Sequence, residues 1–350
     1  MRQISNMLNG LVRTLSLGKE KKGKQEEEEE GTRRREIVLK SSGWVDAPAS
    51  NSFVSVFSQT GQKGVNQDRS IVWEGFGCQD NTIFCGIFDG HGEWGHYVAK
   101  CVRNTLPASL LCHWQETVAN ESALVASSPT EKEKINQFKV WRQSCLTACE
   151  TVDKELKRSR SIDTYYSGTT ALTMVKQGDL MVISNVGDSR AVLATTADDG
   201  SLMPVQLTVD FKPNLPQELE RIKQCNGQVY CLDEEPGVHR LWLPGDESPG
   251  LAMSRAFGDF CMKGHGLISV PDVTQRIITS QDRFVILATD GVWDVISNEE
   301  AVEIVSSTPE RHKSAKRLVE CAVRAWKRKR RGIAVDDCSA ICLFFHCYPQ

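Results

Sequence analysis

An apolar run that ends in an aspartate recurs along this chain, and that repetition constrains the fold more than any other feature. Phe84-Cys85-Gly86-Ile87-Phe88 stops at Asp89-Gly90, and Phe284-Val285-Ile286-Leu287-Ala288-Thr289 stops at Asp290-Gly291. Asp188 follows Val182-Ile183-Ser184-Asn185-Val186-Gly187, Asp68 precedes Ile71-Val72-Trp73, and Asp336-Asp337 precede an apolar segment from Ser339 to Phe345. One Asp-Gly is a turn signal. Acids at the ends of several strands of one core are harder to explain that way. Converging carboxylates repel each other, so a fold keeps them together only where cations neutralise them. An all-oxygen donor set points to hard ions, Mg2+ or Mn2+. Two such ions can activate a water for in-line attack at phosphorus.

The rest of the pattern is mixed. Phe53–Phe57 alternates like a strand, and Ala171–Val175, Leu180–Asn185 and Ala191–Ala194 read as further strands. Helical spacing covers Tyr97–Trp114, Phe138–Arg158, Glu299–Ser306 and Ser314–Lys329. The polar stretch Glu116–Gln137 reads as a surface excursion, and residues 210–250, with five prolines, as a largely irregular flap. Strands in both halves with helices between them predict a mixed α/β or α+β domain.

The first 45 residues differ in kind. Ile4, Met7, Leu8, Leu11 and Leu15 fall on one helical face, followed by lysines, the run Glu26–Glu30 and Arg33-Arg34-Arg35. Charge blocks this dense predict a solvated, disordered tail. The helical stripe and its cations within residues 1–24 predict weak peripheral membrane attachment. The formal charge of −3 gives no drive toward nucleic acid, and none is expected as a partner. Thirteen cysteines without a C-x-x-C pair read as reduced thiols, hence a cytoplasmic protein. The run Lys327–Arg331 suits a nuclear import signal, but it also closes a helix, where cations favour the dipole.

Three other chemistries fit poorly. Gly90-x-Gly92-x-x-Gly95 has the dinucleotide-binding spacing, yet no acid stands on a second strand about 20 residues on, and Asp89 would face the pyrophosphate. Gly18 to Lys24 imitates a phosphate loop, but Gln25 stands where Ser or Thr is needed. None of the cysteines has an arginine six positions later, so a cysteine-phosphatase loop is missing.

Six motifs then occur in order: FDGHG at 88–92, SGTTA at 167–171, VGDSRAVL at 186–193, LAMSRAFGD at 251–259, ATDGVWDVIS at 288–297 and DDCSAICLF at 336–344. Together they resemble the metal-dependent serine/threonine phosphatases of the protein phosphatase 2C family, and most of all its plant branch called clade E. The likeness covers residues 52–346. It implies an α+β fold, a four-layer α/β/β/α sandwich with two central, mainly antiparallel sheets flanked by helices. It also implies a monomer acting on phosphorylated proteins with two Mg2+ or Mn2+ ions and a weaker third.

The resemblance carries roles residue by residue. Asp89 would bridge two ions and the Gly90 carbonyl would bind one. Asp290 and Asp336 would hold the first, Asp68 would sit near the other through water, and Asp188 and Asp294 match the third site. The centre would activate a bridging water, with His91 as the general acid that protonates the leaving oxygen. Lys63 stands where many members carry a phosphate-gripping arginine; it supplies charge without a bidentate fork. Gln67 replaces a frequent glutamate, and Leu232 stands where the hormone co-receptor branch has a flap tryptophan. The alternative is a non-catalytic binding protein on the same fold, which would need a lost ligand; no acid of the set is missing.

Overall fold

The computed structural model describes residues 36–37, 42–45, 53–126, 136–245, 248–330 and 332–345. The helical stripe and the acid run lie outside the described residues, whereas Glu36–Ile37 and Ser42–Val45, within the stretch read as a disordered tail, are strands that pair with the central sheets.

Two six-stranded sheets form the centre. The strands are β1 (Glu36–Ile37), β2 (Ser42–Val45), β3 (Phe53–Gln59), β4 (Arg69–Glu74), β5 (Thr82–Phe88), β6 (Gly90–His91), β7 (Gly168–Thr169), β8 (Ala171–Gln177) and β9 (Leu180–Val186). They continue with β10 (Arg190–Thr196), β11 (Leu202–Gln206), β12 (Gln228–Tyr230), β13 (Arg240–Trp242), β14 (Gly250–Leu251), β15 (Phe257–Gly258), β16 (Asp272–Ile277), β17 (Asp282–Ala288) and β18 (Cys338–Phe344). The first sheet runs β1-β4-β5-β8-β9-β16 and the second β11-β10-β17-β18-β3-β2. Every pairing between these named strands is antiparallel, so no parallel βαβ unit is present among the described residues. That removes the dinucleotide reading, although Gly95 does open a helix after a strand.

The two sheets pack face to face. Val54, Val72, Cys85, Ile87, Leu172, Met174, Leu193, Leu287 and Ile341 form an apolar layer between them. Central strands such as β5 and β18 are therefore buried on both faces and read as continuous apolar runs.

Helices cover the outer faces. α1 (Gly95–Ala126) and α2 (Gln137–Arg158) pack on the first sheet, where Trp141 of α2 lies 6.5 Å from Phe76 and Phe76 5.1 Å from Phe84 of β5. α2 starts at Asn136, whose side chain accepts from the Lys139 N–H, and it buries Val140, Trp141, Cys145, Ala148, Cys149, Val152 and Leu156 on one stripe. α3 (Pro216–Gln224), α4 (Phe260–Lys263) and α5 (Asp290–Trp293) are short. α6 (Asn298–Ser306) and α7 (Ser314–Lys329) cover the second sheet. A capping box between Ser297 and Glu300 opens α6, and α7 buries Leu318, Val319, Ala322 and Trp326. The layers are helix, sheet, sheet, helix, as expected.

Two expectations fail in detail. The helix read as ending near Trp114 continues to Ala126, through the first part of the stretch read as an excursion. Its polar residues are compatible with a helix whose other face packs on α2. The flap is also ordered: it holds α3 and a small sheet in the order β12-β13-β14. The prolines looked like breakers, but Pro216 stands at the first turn of α3, where proline is pre-set for a helix.

Candidate active site

Strand register explains why distant aspartates meet. In the first sheet Arg69 pairs with Phe88, so Asp68, just before β4, and Asp89, just after β5, lie at the same sheet edge. In the second, Ala288 pairs with both Arg190 and Ala340. That puts Asp188 before β10, Asp290 after β17 and Asp336 before β18 together at one end. The β9–β10 connection passes from one sheet to the other at Asp188, joining the two sets.

One cleft of about 990 Å³ lies at this edge, lined by Lys63, Asp89, Gly90, His91, Asp290, Asp294 and Asp336. Asp68 and Asp188 are buried and do not line it. Asp294 follows α5 and is exposed. The site residues expected from the sequence are thus brought to one place.

Polar clips hold the edge. The Asp89 N–H donates to Thr170 Oγ1 at 3.0 Å, and its carbonyl accepts from the Thr170 N–H at 2.8 Å and from Thr169 Oγ1 at 2.9 Å. Thr289 Oγ1 donates to Asp68 Oδ2 at 3.0 Å while accepting from the Ser339 N–H at 3.1 Å. Asp337 accepts the Gly61 and Gln67 N–H groups at 2.8 and 2.7 Å, so it shapes the loop that carries Lys63. At Gly90 a Cβ would stand 2.5 Å from the Gly95 carbonyl oxygen, and Gly92 takes a φ of 83°. Those glycines let the chain fold tightly under Asp89 and enter α1.

The electrostatics are those of crowded acids. Burial pushes Asp89 well above the usual carboxylate range, and Asp68, Asp290, Asp336 and Asp188 push it further. Asp290 is raised by burial and then by Asp188 and Asp336, with Lys212 opposing. Asp68 is pushed up to about 7, mainly by burial, despite hydrogen bonds from Ser339 and Thr289. Two lysines answer part of this charge: Lys63 Nζ lies 2.5 Å from Asp336 Oδ2, and Lys212 Nζ 2.5 Å from Asp188 Oδ2.

The acids fit hard dications in donor chemistry. Asp68 Oδ1 and Asp188 Oδ1 are buried with no hydrogen-bond partner, as oxygens reserved for a cation would be. No three acid, histidine or cysteine side chains among the described residues already converge on one point at ligand distance. The fit therefore rests on donor type and mutual repulsion.

Reading the sequence missed two contributors. Lys212, in the flap segment after β11, was hidden among residues read as irregular. Asp259 closes the LAMSRAFGD motif, and its Oδ2 lies 2.6 Å from His91 Nε2. Burial alone would lower the His91 imidazole, but Asp259 outweighs it and, with Asp188, holds it above its ordinary value.

Comparison with known proteins decides the family. The family model described as protein phosphatase 2C matches residues 54–330. The chain belongs to the protein phosphatase 2C family. It is 60% identical to probable protein phosphatase 2C 34 of Arabidopsis thaliana, over 99% of this chain and 98% of that one. It is also 60% identical to probable protein phosphatase 2C 48 of Oryza sativa subsp. japonica, over the full length of both. Among solved structures it resembles a serine-threonine phosphatase 2C from Toxoplasma gondii, with a TM-score of 0.74 and 26% identity over 89% of this chain and 99% of that one. The chain is thus a plant-type protein phosphatase 2C, a family that depends on metal ions, as the acid-rich cleft would suggest. The matched region stops at residue 330, but β18 lies between β17 and β3, so this phosphatase 2C needs residues to 344 to close its second sheet.

Proposed function

We propose that this protein phosphatase 2C hydrolyses phosphoserine and phosphothreonine in proteins with two Mg2+ or Mn2+ ions, and that the acid edge with His91 is its reaction centre. The observation that carries the reading is the meeting of Asp89, Asp290, Asp336 and His91 in one cleft, with Asp68 and Asp188 buried nearby. Ions bound there would neutralise the carboxylates, activate water and draw charge from the phosphoryl oxygens.

The chain's own groups do the rest. Four other acids raise Asp89, which suits a bridging role, the Gly90 carbonyl would add an oxygen, and the lack of a side chain at Gly90 lets the backbone there pack against Gly95 and Gln67. Asp290 and Asp336 supply further oxygens, Asp68 supports the edge from below, and Asp188 with Asp294 would take a third, weaker ion. Lys63, exposed on the rim, can swing from Asp336 to a phosphoryl oxygen. His91 donates a proton to the departing serine or threonine oxygen, a step worth roughly 10² to 10⁴-fold when an alkoxide must leave.

The test is turnover of a phosphothreonine peptide with added Mn2+ or Mg2+, for the native chain and Asp89→Asn. Metal-dependent turnover, removed by chelation and strongly lowered in Asp89→Asn together with metal affinity by calorimetry, is expected. Near-native rates for the variant at saturating Mn2+ would falsify the two-ion mechanism. Metal binding without turnover would favour the non-catalytic reading.

A further inference from the structure

We propose that Tyr166 and Val65 form an apolar shelf on the rim of the acid cleft, and that it receives a large apolar side chain next to the phosphoserine or phosphothreonine of a protein substrate. This rests on the phosphatase reading above and adds a substrate class to it. Both side chains line the cleft, and both are bare: Tyr166 is 56% exposed and Val65 66%. Scattered singly, exposed apolar residues need no explanation. Two on the rim of one cleft that must take in a protein segment are different. They offer area that only a bound partner covers, and tyrosine is favoured in such contacts because its rigid ring covers much surface at little entropic cost.

The backbone beneath the shelf is fixed. The Tyr165 N–H donates to Asp163 Oδ1 at 2.8 Å, and its carbonyl accepts from the Cys261 N–H at 3.1 Å. Next along the chain, Ser167 Oγ accepts from the Trp94 N–H at 2.9 Å. Gly92 lies directly against Tyr166, since a Cβ there would stand 2.5 Å from the Tyr166 carbonyl oxygen. Gln67 Nε2 donates to the Gly92 carbonyl at 2.9 Å. The loop that carries Val65 and the segment that carries Tyr166 therefore meet at Gly92, one residue after His91. Tyr165 steadies the ring from behind: the two ring centroids are 4.8 Å apart at 87°, an edge-to-face contact.

The chemistry of the shelf decides what it can select. The charged groups of the cleft are acids suited to ions and lysines that answer them. Tyr166 and Val65 add ring and methyl surface without charge, so they discriminate by apolar area alone. Contacts of this kind distinguish a larger from a smaller apolar group by roughly 10- to 200-fold in kcat/KM. An open shelf belongs at the low end.

The test uses the full-length chain with Mn2+ and three phosphothreonine peptides that differ only beside the phosphoresidue: alanine on both sides, leucine before it, or leucine after it. The native chain is expected to favour at least one leucine peptide over the alanine peptide by about tenfold in kcat/KM, chiefly through KM. Replacing both residues, Tyr166→Ala with Val65→Ala, should bring that ratio close to one, whereas Tyr166→Phe should keep it. Ile277→Ser removes a 60% exposed apolar side chain at the end of β16 that pairs with Leu180, remote from the acid edge, and should leave the ratio unchanged. Unfolding midpoints check the fold of each variant. Equal kcat/KM on all three peptides for the native chain, or a ratio that survives the double replacement, overturns the shelf while leaving the phosphatase reading intact. A loss in Tyr166→Phe as large as in the double variant would point to the hydroxyl and overturn it too. Failure of the phosphatase reading looks different, because no peptide would then be turned over with metal. Calorimetric binding of the same peptides still decides in that case: tighter binding of leucine than alanine, abolished by the double replacement, supports the shelf, and equal affinities overturn it.

Discussion

At the residue scale, burial rather than neighbouring charge governs the thiols. Cys85, Cys145 and Cys342 are buried, and burial pushes each up to about 12. A thiol that stays protonated and enclosed is a poor nucleophile. Cys78 and Cys225 are exposed. A maleimide at neutral pH is expected to label Cys78 and Cys225 in the native protein and to reach Cys85, Cys145 and Cys342 only after unfolding. Mass mapping checks this, and early labelling of Cys145 would contradict the packing of α2 on the first sheet. The acids were legible at this scale because an aspartate after an apolar run stands out in any sequence. Asp259 was not, although its motif was in view. Its contact with His91 depends on a ribbon, β15-β7-β6, whose strands are two residues long, and on a missing side chain at Gly168, where a Cβ would stand 1.9 Å from Asp259 Oδ2; periodicity cannot register either.

At the scale of elements, the flap is pinned by one buried acid. Glu218 in the first turn of α3 is 2% exposed and accepts from Arg221 Nη2 at 2.6 Å, Ser254 Oγ at 2.6 Å and Arg255 Nη2 at 2.7 Å. Arg255 in turn lies 3.7 Å over the Phe211 ring. Burial alone would raise Glu218, but Arg221, Arg255 and Ser254 bring it down to about 2. A carboxyl lowered on folding stabilises the native state above its unfolded value near 4.5, and loses that contribution as pH falls toward 2. At about 1.4 kcal/mol per pH unit the contribution is roughly 3 kcal/mol at neutral pH. Glu218→Gln is expected to lower unfolding free energy by about that amount at pH 7, with the gap to the native chain narrowing in acid. Urea titrations across pH check it, and a gap that widens in acid would contradict the sign. The α7 terminus illustrates a different ambiguity. Lys329 donates to the Val295 carbonyl at 2.7 Å, so at least part of the basic run serves the fold. The helices and central strands were readable because their apolar spacing is long and regular. β11 and β16 were not, since β11 is largely exposed and β16 is an edge strand, and neither shows a clear alternation.

At the scale of the whole molecule, the sandwich and its active edge are one construction, because the same strand ends that close the sheets present the acids. No described helix is long and apolar enough to cross a membrane. Separately, the apolar stripe and cations of residues 1–24 are predicted to give weak attachment to an anionic lipid surface. Vesicles with anionic lipid should sediment the full chain and not a chain lacking those residues; equal behaviour of the two would remove the anchor.

The seam between the chain's two ends has a temporal consequence. β3, from near the start, is paired along its whole length with β18, from Phe53↔Phe344 to Gln59↔Cys338. On the ribosome β3 must wait for nearly all the remaining chain before its partner emerges, and contacts this distant in sequence make folding slow. Asp336 arrives with the same last strand. A nascent chain can thus assemble the first sheet with Asp68 and Asp89, yet the cleft gains its full set of acids only when synthesis is almost finished, so premature termination yields an inert product rather than an unregulated phosphatase.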